Sequence, residues 1–134
     1  MKEYQRKIAD FTQAVQHLAE AALDWSRHPD SGTAQELLLS RYRYSFALAW
    51  QSMRDYMAEQ GRAEQDDSVR LLLKAASQQG LIADADLWMQ MRMAANTLPD
   101  LCSSAAVKEA AGQIQHRYLP ALVQLSGRYA LLLN

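Results

Sequence analysis

The residues of this sequence best suited to hold a ligand are arginines and tyrosines in one short segment. Arg41, Arg43 and Arg54 lie close together in the chain, and guanidinium groups bind phosphate and carboxylate through a planar set of donors. Tyr42 and Tyr44 are two residues apart, so on a helix they cannot point the same way. One of them, with Arg41 or Arg43, is therefore expected to face a groove or a partner. A solvated charged face is the alternative interpretation of these arginines.

The residue types of common catalytic and metal centres are few and separated. His17, His28 and His116 lack the four-residue spacing that pairs two histidines on a helix in zinc enzymes. Cys102 is the single cysteine, so by itself it forms neither an internal disulfide nor a thiolate metal site. The sequence contains no glycine-rich phosphate loop and no Glu-x-x-His pattern. We therefore expect no cofactor, no metal and no complete catalytic site.

Composition places the chain among globular proteins. With 134 residues, 49% of them hydrophobic and 22% charged, one domain over residues 1–134 is expected. The 14 basic residues nearly balance the 15 acidic ones, so the strong positive field that favours duplex DNA is missing. No stretch approaches the ~18 apolar residues of a membrane span, and the first residues lack an export signal. With the single cysteine, this favours a cytoplasmic protein.

The helical period of the apolar residues predicts the elements that position these side chains. The first apolar stripe covers residues 8–25 and should end at His28, because Pro29 disfavours helix in the residue before it. The second is predicted to begin at Thr33, whose side chain and that of Glu36 can cap each other, and to end at Gly61. Tryptophans and methionines on such stripes are expected in the core; in the second helix they include Trp50 and Met53.

Three further helices are predicted. The third has capping oxygens in Asp66, Asp67 and Ser68, and Gly80 should close it. The fourth begins after Asp84, carries Trp88 inward and leaves through residues 96–100. The last starts after Ser103 or Ser104, and Pro120 should bend it. No segment alternates like a half-buried strand. The expected fold is all-α, an up-and-down antiparallel helical bundle of four to five helices.

Several segments resemble one family, the nucleotidyltransferase substrate-binding subunits. They are residues 41–50 (RYRYSFALAW), 80–82 (GLI), 87–91 (LWMQM) and 118–122 (YLPAL), in that family's order and spacing over nearly the whole chain. The resemblance implies a bundle like the helical domain of kanamycin nucleotidyltransferase, within the wider HEPN group. It also implies a homodimer that docks against a separate small nucleotidyltransferase, with a nucleotide or other small substrate at the shared cleft.

The resemblance also indicates a degenerate site. Many HEPN relatives are ribonucleases with an Arg-Asn-x-x-x-His motif at the exit of the fourth helix, and some carry a tyrosine two residues after the histidine. The corresponding residues here are Ala95, Asn96, Asp100 and Cys102. Ala95 has no charge to stabilise a phosphate, and a carboxylate is a weak base at neutral pH that repels one. Arg92 lies one helical turn before Ala95 and is the available replacement cation.

These observations leave three interpretations of function. The first is a non-catalytic subunit that binds substrate for a separate nucleotidyltransferase. The second is a HEPN ribonuclease toxin with an unconventional site, and the third is a structural or regulatory pseudoenzyme. A homodimer is expected through the second and fourth helices. The candidate cleft or partner-binding residues are Arg41, Tyr44, Arg92, Asn96 and Asp100.

Overall fold

A computed structural model describes residues 2–61 and 68–133 of the chain. Within these ranges every regular element is helical and no strand occurs, which confirms the all-α prediction. The helices are α1 (Glu3–Arg27), α2 (Gly32–Glu59), α3 (Val69–Gln78), α4 (Ala85–Thr97), α5 (Ser104–Gln113) and α6 (Leu119–Leu133). A 3₁₀ turn, Leu98–Asp100, follows α4, and a π-helical turn, Ile114–Tyr118, joins α5 to α6. No helix in the described residues is both long and apolar enough to cross a membrane.

Contacts between α1 and α2 show that these two long helices run antiparallel. Lys2, at the start of α1, pairs with Glu59 at the end of α2. One turn further in, Lys7 Nζ lies 3.3 Å from a carboxylate oxygen of Asp55. The turn at residues 28–31 that joins the helices begins at His28, whose main-chain N–H reaches back to carbonyls of the last turn of α1. The predicted end of the first helix is therefore confirmed.

The start of α2 differs from the prediction. The helix begins at Gly32, and its N-cap is Ser31, whose hydroxyl accepts a hydrogen bond from the Ala34 main-chain N–H at 3.1 Å. Thr33 is an exposed residue of the first turn, so the predicted cap formed by Thr33 with Glu36 is wrong. A hydroxyl two residues earlier satisfies an N–H of the first turn, and the helix starts there.

The predicted boundaries of the short helices are largely confirmed. Ser68 precedes α3, while Asp66 and Asp67 lie outside the described residues. Gly80 has a φ of +78°, the left-handed conformation that ends a helix at low cost for glycine. Asp84 accepts a hydrogen bond from the main-chain N–H of Leu87 and begins α4.

The last predicted helix is divided by the π-helical turn. Ser103 caps α5 by accepting a hydrogen bond from the Ala106 main-chain N–H. At the other end of the π turn, the main-chain N–H of Leu119 donates to the carbonyl of Ile114, five residues back. Pro120 follows immediately and has no N–H to continue the α-helical pattern. The chain therefore accommodates the proline through a wider turn, where the sequence predicted a bend in a continuous helix.

Aromatic and hydroxyl contacts fix the directions of the remaining helices. Phe46 of α2 packs on Trp88 of α4, with ring centroids 6.1 Å apart. Further along α2, Ser52 shares a hydrogen bond of 2.9 Å with Tyr129 of α6. Tyr42 comes before Phe46 in α2, and it contacts Met91, which comes after Trp88 in α4. The two helices therefore run antiparallel. Tyr42 also stacks on Tyr118, at the end of the π-helical turn, so the chain from Tyr118 to Tyr129 runs parallel to α2. The up-and-down order α1, α2, α4 and α5–α6 follows, with α3 packed beside α4.

Candidate functional site

Tyr42 and Tyr44 point to opposite sides of α2, as their two-residue spacing predicted. Tyr44 is 58% exposed, whereas Tyr42 is fully buried. The Tyr42 hydroxyl donates to the main-chain carbonyl of Met91 at 2.7 Å, and its ring stacks on Tyr118 at 5.6 Å. Burial raises the pKa of the Tyr42 phenol well above its ordinary value. Tyr42 is therefore a structural tie between α2 and α4, and the neighbouring residues of both helices are placed by it.

A groove of about 320 Å³, here called the arginine groove, opens beside this tie, with walls from α2, α4 and the first residue of α3. Its lining residues are Arg43, Phe46, Ala47, Trp50, Val69, Arg92, Ala95 and Asn96. The α2 residues in it follow one helical face, because positions 43, 46, 47 and 50 are three or four apart. On α4, positions 92, 95 and 96 do the same. The groove thus brings together two of the predicted site residues, Arg92 and Asn96.

No described residue neutralises the charges of the arginine groove. Among the residues that the structure describes, neither Arg43 nor Arg92 forms an ion pair or a side-chain hydrogen bond. The lining residues that the structure describes include no acidic side chain. Arg43 is exposed and Arg92 half-buried. The groove therefore presents two positive charges to an incoming ligand.

Trp50 contributes the aromatic surface of this groove, and its predicted place in the core is corrected. It is half-buried, while Trp88 of α4 is 1% exposed and belongs to the core. The apolar period puts Trp50 at the edge of the buried stripe, where one part of the ring packs on the core and another lines the groove. A ring in this position can pack against a flat ligand.

A wider groove of about 710 Å³ lies on the preceding turns of the same helix. Its walls are the first turns of α2, the 3₁₀ turn after α4 and the beginning of α5. They include Glu36, Leu39 and Arg43 on one side and Pro99 and Val107 on the other. Arg43 lines both this wide groove and the arginine groove. The two grooves therefore follow one face of α2 from Gly32 to Trp50.

The other predicted site residues lie elsewhere. Arg41 and Tyr44 line a groove of about 470 Å³ between α1 and α2, together with Asp10 and His17. Asp100 is exposed in the 3₁₀ turn and is not part of the arginine groove. The five candidates therefore do not form one site. Arg41 was selected from the sequence as a site residue, whereas Arg43 lines the arginine groove. Trp50 was assigned from the sequence to the core, and it lines the same groove.

The spacing of residues 43 and 50 was the signal that could have located the groove. These positions are seven apart and therefore share a helical face. That face borders the apolar stripe of α2, where side chains are only partly buried. The described residues contain no group of three histidine, cysteine or acidic side chains able to hold a metal ion. The groove offers cations, an amide and a ring, which are groups that bind and orient a ligand.

Comparison with known proteins identifies one family. No curated protein matches the chain. The family model described as nucleotidyltransferase substrate binding protein like matches residues 4–130. The match spans all six helices except the last residues of α6 and the first of α1. The chain therefore belongs to the family of nucleotidyltransferase substrate-binding-like proteins.

Proposed function

We propose that this protein is the non-catalytic substrate-binding subunit of a two-component nucleotidyltransferase. The observation that carries the proposal is the arginine groove, in which Arg43, Arg92 and Asn96 face a ligand-sized space without acidic neighbours among the described lining residues. The family to which the chain belongs is named for substrate binding in nucleotidyl transfer, and the groove supplies a place where such binding can occur.

The groups in the groove suit binding better than bond making. A guanidinium keeps its proton at neutral pH, so neither Arg43 nor Arg92 is a general base. The amide of Asn96 and the indole of Trp50 do not exchange protons at that pH either. Transfer of a nucleotidyl group needs activation of the attacking group and stabilisation of the leaving phosphate. We therefore assign those steps to a separate nucleotidyltransferase chain that docks beside the groove.

The degenerate HEPN motif supports this division of labour. Ala95 lines the groove but carries no charge, and Asp100, in the position of the ribonuclease histidine, lies outside it. An RNA-cleaving site needs a base beside the 2′-hydroxyl and a cation at the phosphate. Arg92 and Arg43 supply cations, but the described lining residues include no base. The ribonuclease alternative therefore lacks one of its two requirements there.

The proposal is tested by co-expressing the chain with a small nucleotidyltransferase encoded beside it. We expect the two chains to co-purify and to transfer a labelled nucleotidyl group from a nucleoside triphosphate only when both are present. Arg43→Ala and Arg92→Ala should leave the complex intact and slow transfer. The matched control is Arg54→Ala, since Arg54 lies on the same helix and its nearest charged partner is its neighbour Asp55.

Two results would contradict the proposal. One is a complex that forms and transfers nucleotides equally well with both groove arginines replaced by alanine. The other is RNA cleavage by the purified chain alone that disappears in Arg92→Ala, because that result would make the protein a ribonuclease with a rebuilt site.

A further inference from the structure

We infer that the arginine groove binds a nucleoside monophosphate group, with the phosphate between Arg43 and Arg92 and the base on the ring of Trp50. This inference rests on the proposed function and names the class of ligand that the groove accepts. It follows from three properties of the groove, which are its charge, its ring and its size.

The charge of the groove matches a phosphate monoester. Such a group carries about −1.5 to −2 charges at neutral pH and three acceptor oxygens. Arg43 on α2 and Arg92 on α4 supply two positive charges, each as a planar set of donors. Because these arginines have no ion-pair partner among the described residues, a phosphate placed between them displaces none of the carboxylates that the structure describes. A monocarboxylate would neutralise only one of the two charges.

The ring and the amide select what accompanies the phosphate. Trp50 lines the groove and has no ring partner among the described aromatic residues, so part of its surface is available for stacking. Stacking of a nucleic-acid base on an aromatic side chain contributes about 1–3 kcal/mol per base. The amide of Asn96 carries both a donor and an acceptor, which suits a base edge or a ribose hydroxyl. These groups favour a nucleoside phosphate over inorganic phosphate.

The size of the groove favours one nucleotide over a nucleic-acid strand. Its volume of about 320 Å³ is near the lower end of the roughly 300–1,000 Å³ typical of small-molecule sites. The adjoining wide groove contributes Glu36, a negative charge that a continuing phosphate backbone would have to approach. A neutral or cationic extension of the ligand is compatible with that neighbour.

Trp50 also provides the measurement. The purified chain is titrated with AMP while its tryptophan fluorescence is recorded, and isothermal calorimetry gives the affinity independently. Trp88 is buried in the core, and Trp25 lies on α1 and does not line the groove. Quenching by a stacked base should therefore come from Trp50 and be lost in Trp50→Phe. Arg43→Ala and Arg92→Ala should each weaken AMP binding by about tenfold or more, the usual effect of removing a charge-assisted hydrogen bond. Arg54→Ala should bind AMP like the parent.

Comparison ligands test each part of the inference. We expect adenosine and inorganic phosphate each to bind at least about tenfold more weakly than AMP, since each lacks one of the two contacts. Raised salt should weaken AMP binding more than adenosine binding. If thermal melts show that Arg92→Ala is unstable, Arg92→Lys replaces it in the titration, because lysine keeps the positive charge; the melting temperature of Arg92→Lys then shows whether that variant is folded.

The inference is overturned if AMP fails to bind the folded chain at millimolar concentration, if inorganic phosphate binds as tightly as AMP, or if a single-stranded RNA binds far more tightly. Failure of AMP binding in a chain that still forms an active complex with its nucleotidyltransferase would overturn this inference and leave the proposed function standing. Loss of the complex itself would contradict the proposed function.

Discussion

At the scale of single residues, Trp50 and Trp88 separate the two roles that a tryptophan can have in a bundle. Trp88 is enclosed by the core, so Trp88→Ala should lower the free energy of unfolding by about 3–5 kcal/mol. Trp50 keeps part of its ring in the groove, so Trp50→Ala should cost roughly half as much, because less apolar area and a smaller cavity are involved.

Urea denaturation of the two variants, followed by far-UV circular dichroism, measures this difference. Equal losses of stability would mean that Trp50 is as deeply packed as Trp88 and would remove the ring from the proposed ligand site. Leu131, which is 72% exposed on α6, offers a control, since Leu131→Ala should change stability little.

The buried phenols make stability sensitive to alkaline pH. Burial raises the pKa of both Tyr42 and Tyr129 above their ordinary value, while in the unfolded chain a tyrosine loses its proton near pH ~10. Their contribution to stability is therefore complete below pH ~10 and is lost as the pH rises above it, because the unfolded state then gains by ionising. Thermal melts between pH 8 and pH 11 should show the melting temperature falling most steeply above pH ~10.

Tyr42→Phe supplies the matched variant for that experiment. It removes one ionisable phenol and a hydrogen bond to the Met91 carbonyl, at a cost of about 1 kcal/mol or more at neutral pH. Its melting temperature should start lower than that of the parent and fall less between pH 10 and pH 11. A parallel fall in both proteins would mean that Tyr42 does not contribute to the alkaline loss.

At the scale of elements, the start of α2 depends on Ser31. Ser31→Ala should destabilise the protein by about 1 kcal/mol, since it removes the oxygen that accepts the Ala34 N–H. Thr33→Ala should be neutral or slightly stabilising, because alanine is the better helix former at an exposed first-turn position. Chemical denaturation of the two variants measures the change in the free energy of unfolding for each. A larger loss of stability in Thr33→Ala than in Ser31→Ala would indicate that the helix begins at Thr33, as the sequence predicted.

The sequence predicted the helices well because their apolar residues repeat with the helical period and their ends carry local signals. Asp84, Gly80 and Ser103 each act on N–H or carbonyl groups within a few residues, so their roles can be inferred without tertiary structure. The cap of α2 was misplaced because Ser31 and Thr33 are chemically equivalent candidates. Only the three-dimensional path of residues 28–31 decides between them.

The site was predicted less completely because its groove depends on how far α4 lies from α2. Asn96 was chosen as the matching position of the expected motif and Arg92 as a cation one helical turn before Ala95, and both line the groove. Arg41 and Arg43 could not be ranked, since their side chains leave the same helix in different directions and the sequence does not say which neighbour packs on each side. The π-helical turn was also missed, because Pro120 signals a disturbance in a helix without specifying its form.

At the scale of the whole molecule, we predict that the chain is a homodimer in solution. Met93 on α4 is 62% exposed, a large apolar side chain on one of the helices expected at the interface. Light scattering coupled to size exclusion should give about twice the 15.1 kDa mass of one chain. Met93→Glu should shift the protein towards the monomer, because it would bury a charge at the interface.

Leu131→Glu is the control for this experiment, since Leu131 is also exposed but lies on α6, a helix that is not part of the proposed interface. A parent protein of 15 kDa at micromolar concentration would contradict the homodimer. A dimer that dissociates in Leu131→Glu and persists in Met93→Glu would move the interface to α6.

The tie between Tyr42 and Met91 has a consequence for the thermodynamics of ligand binding. Each partner of this hydrogen bond directly precedes an arginine of the groove, so the bond fixes the separation of the backbones that carry Arg43 and Arg92. A ligand that contacts both arginines then orders only side chains, whose immobilisation costs about 0.5–1.5 kcal/mol each, and does not have to draw two helices together. Loss of the tie should therefore appear in calorimetry as a more unfavourable entropy of binding, with the enthalpy of the arginine contacts largely retained.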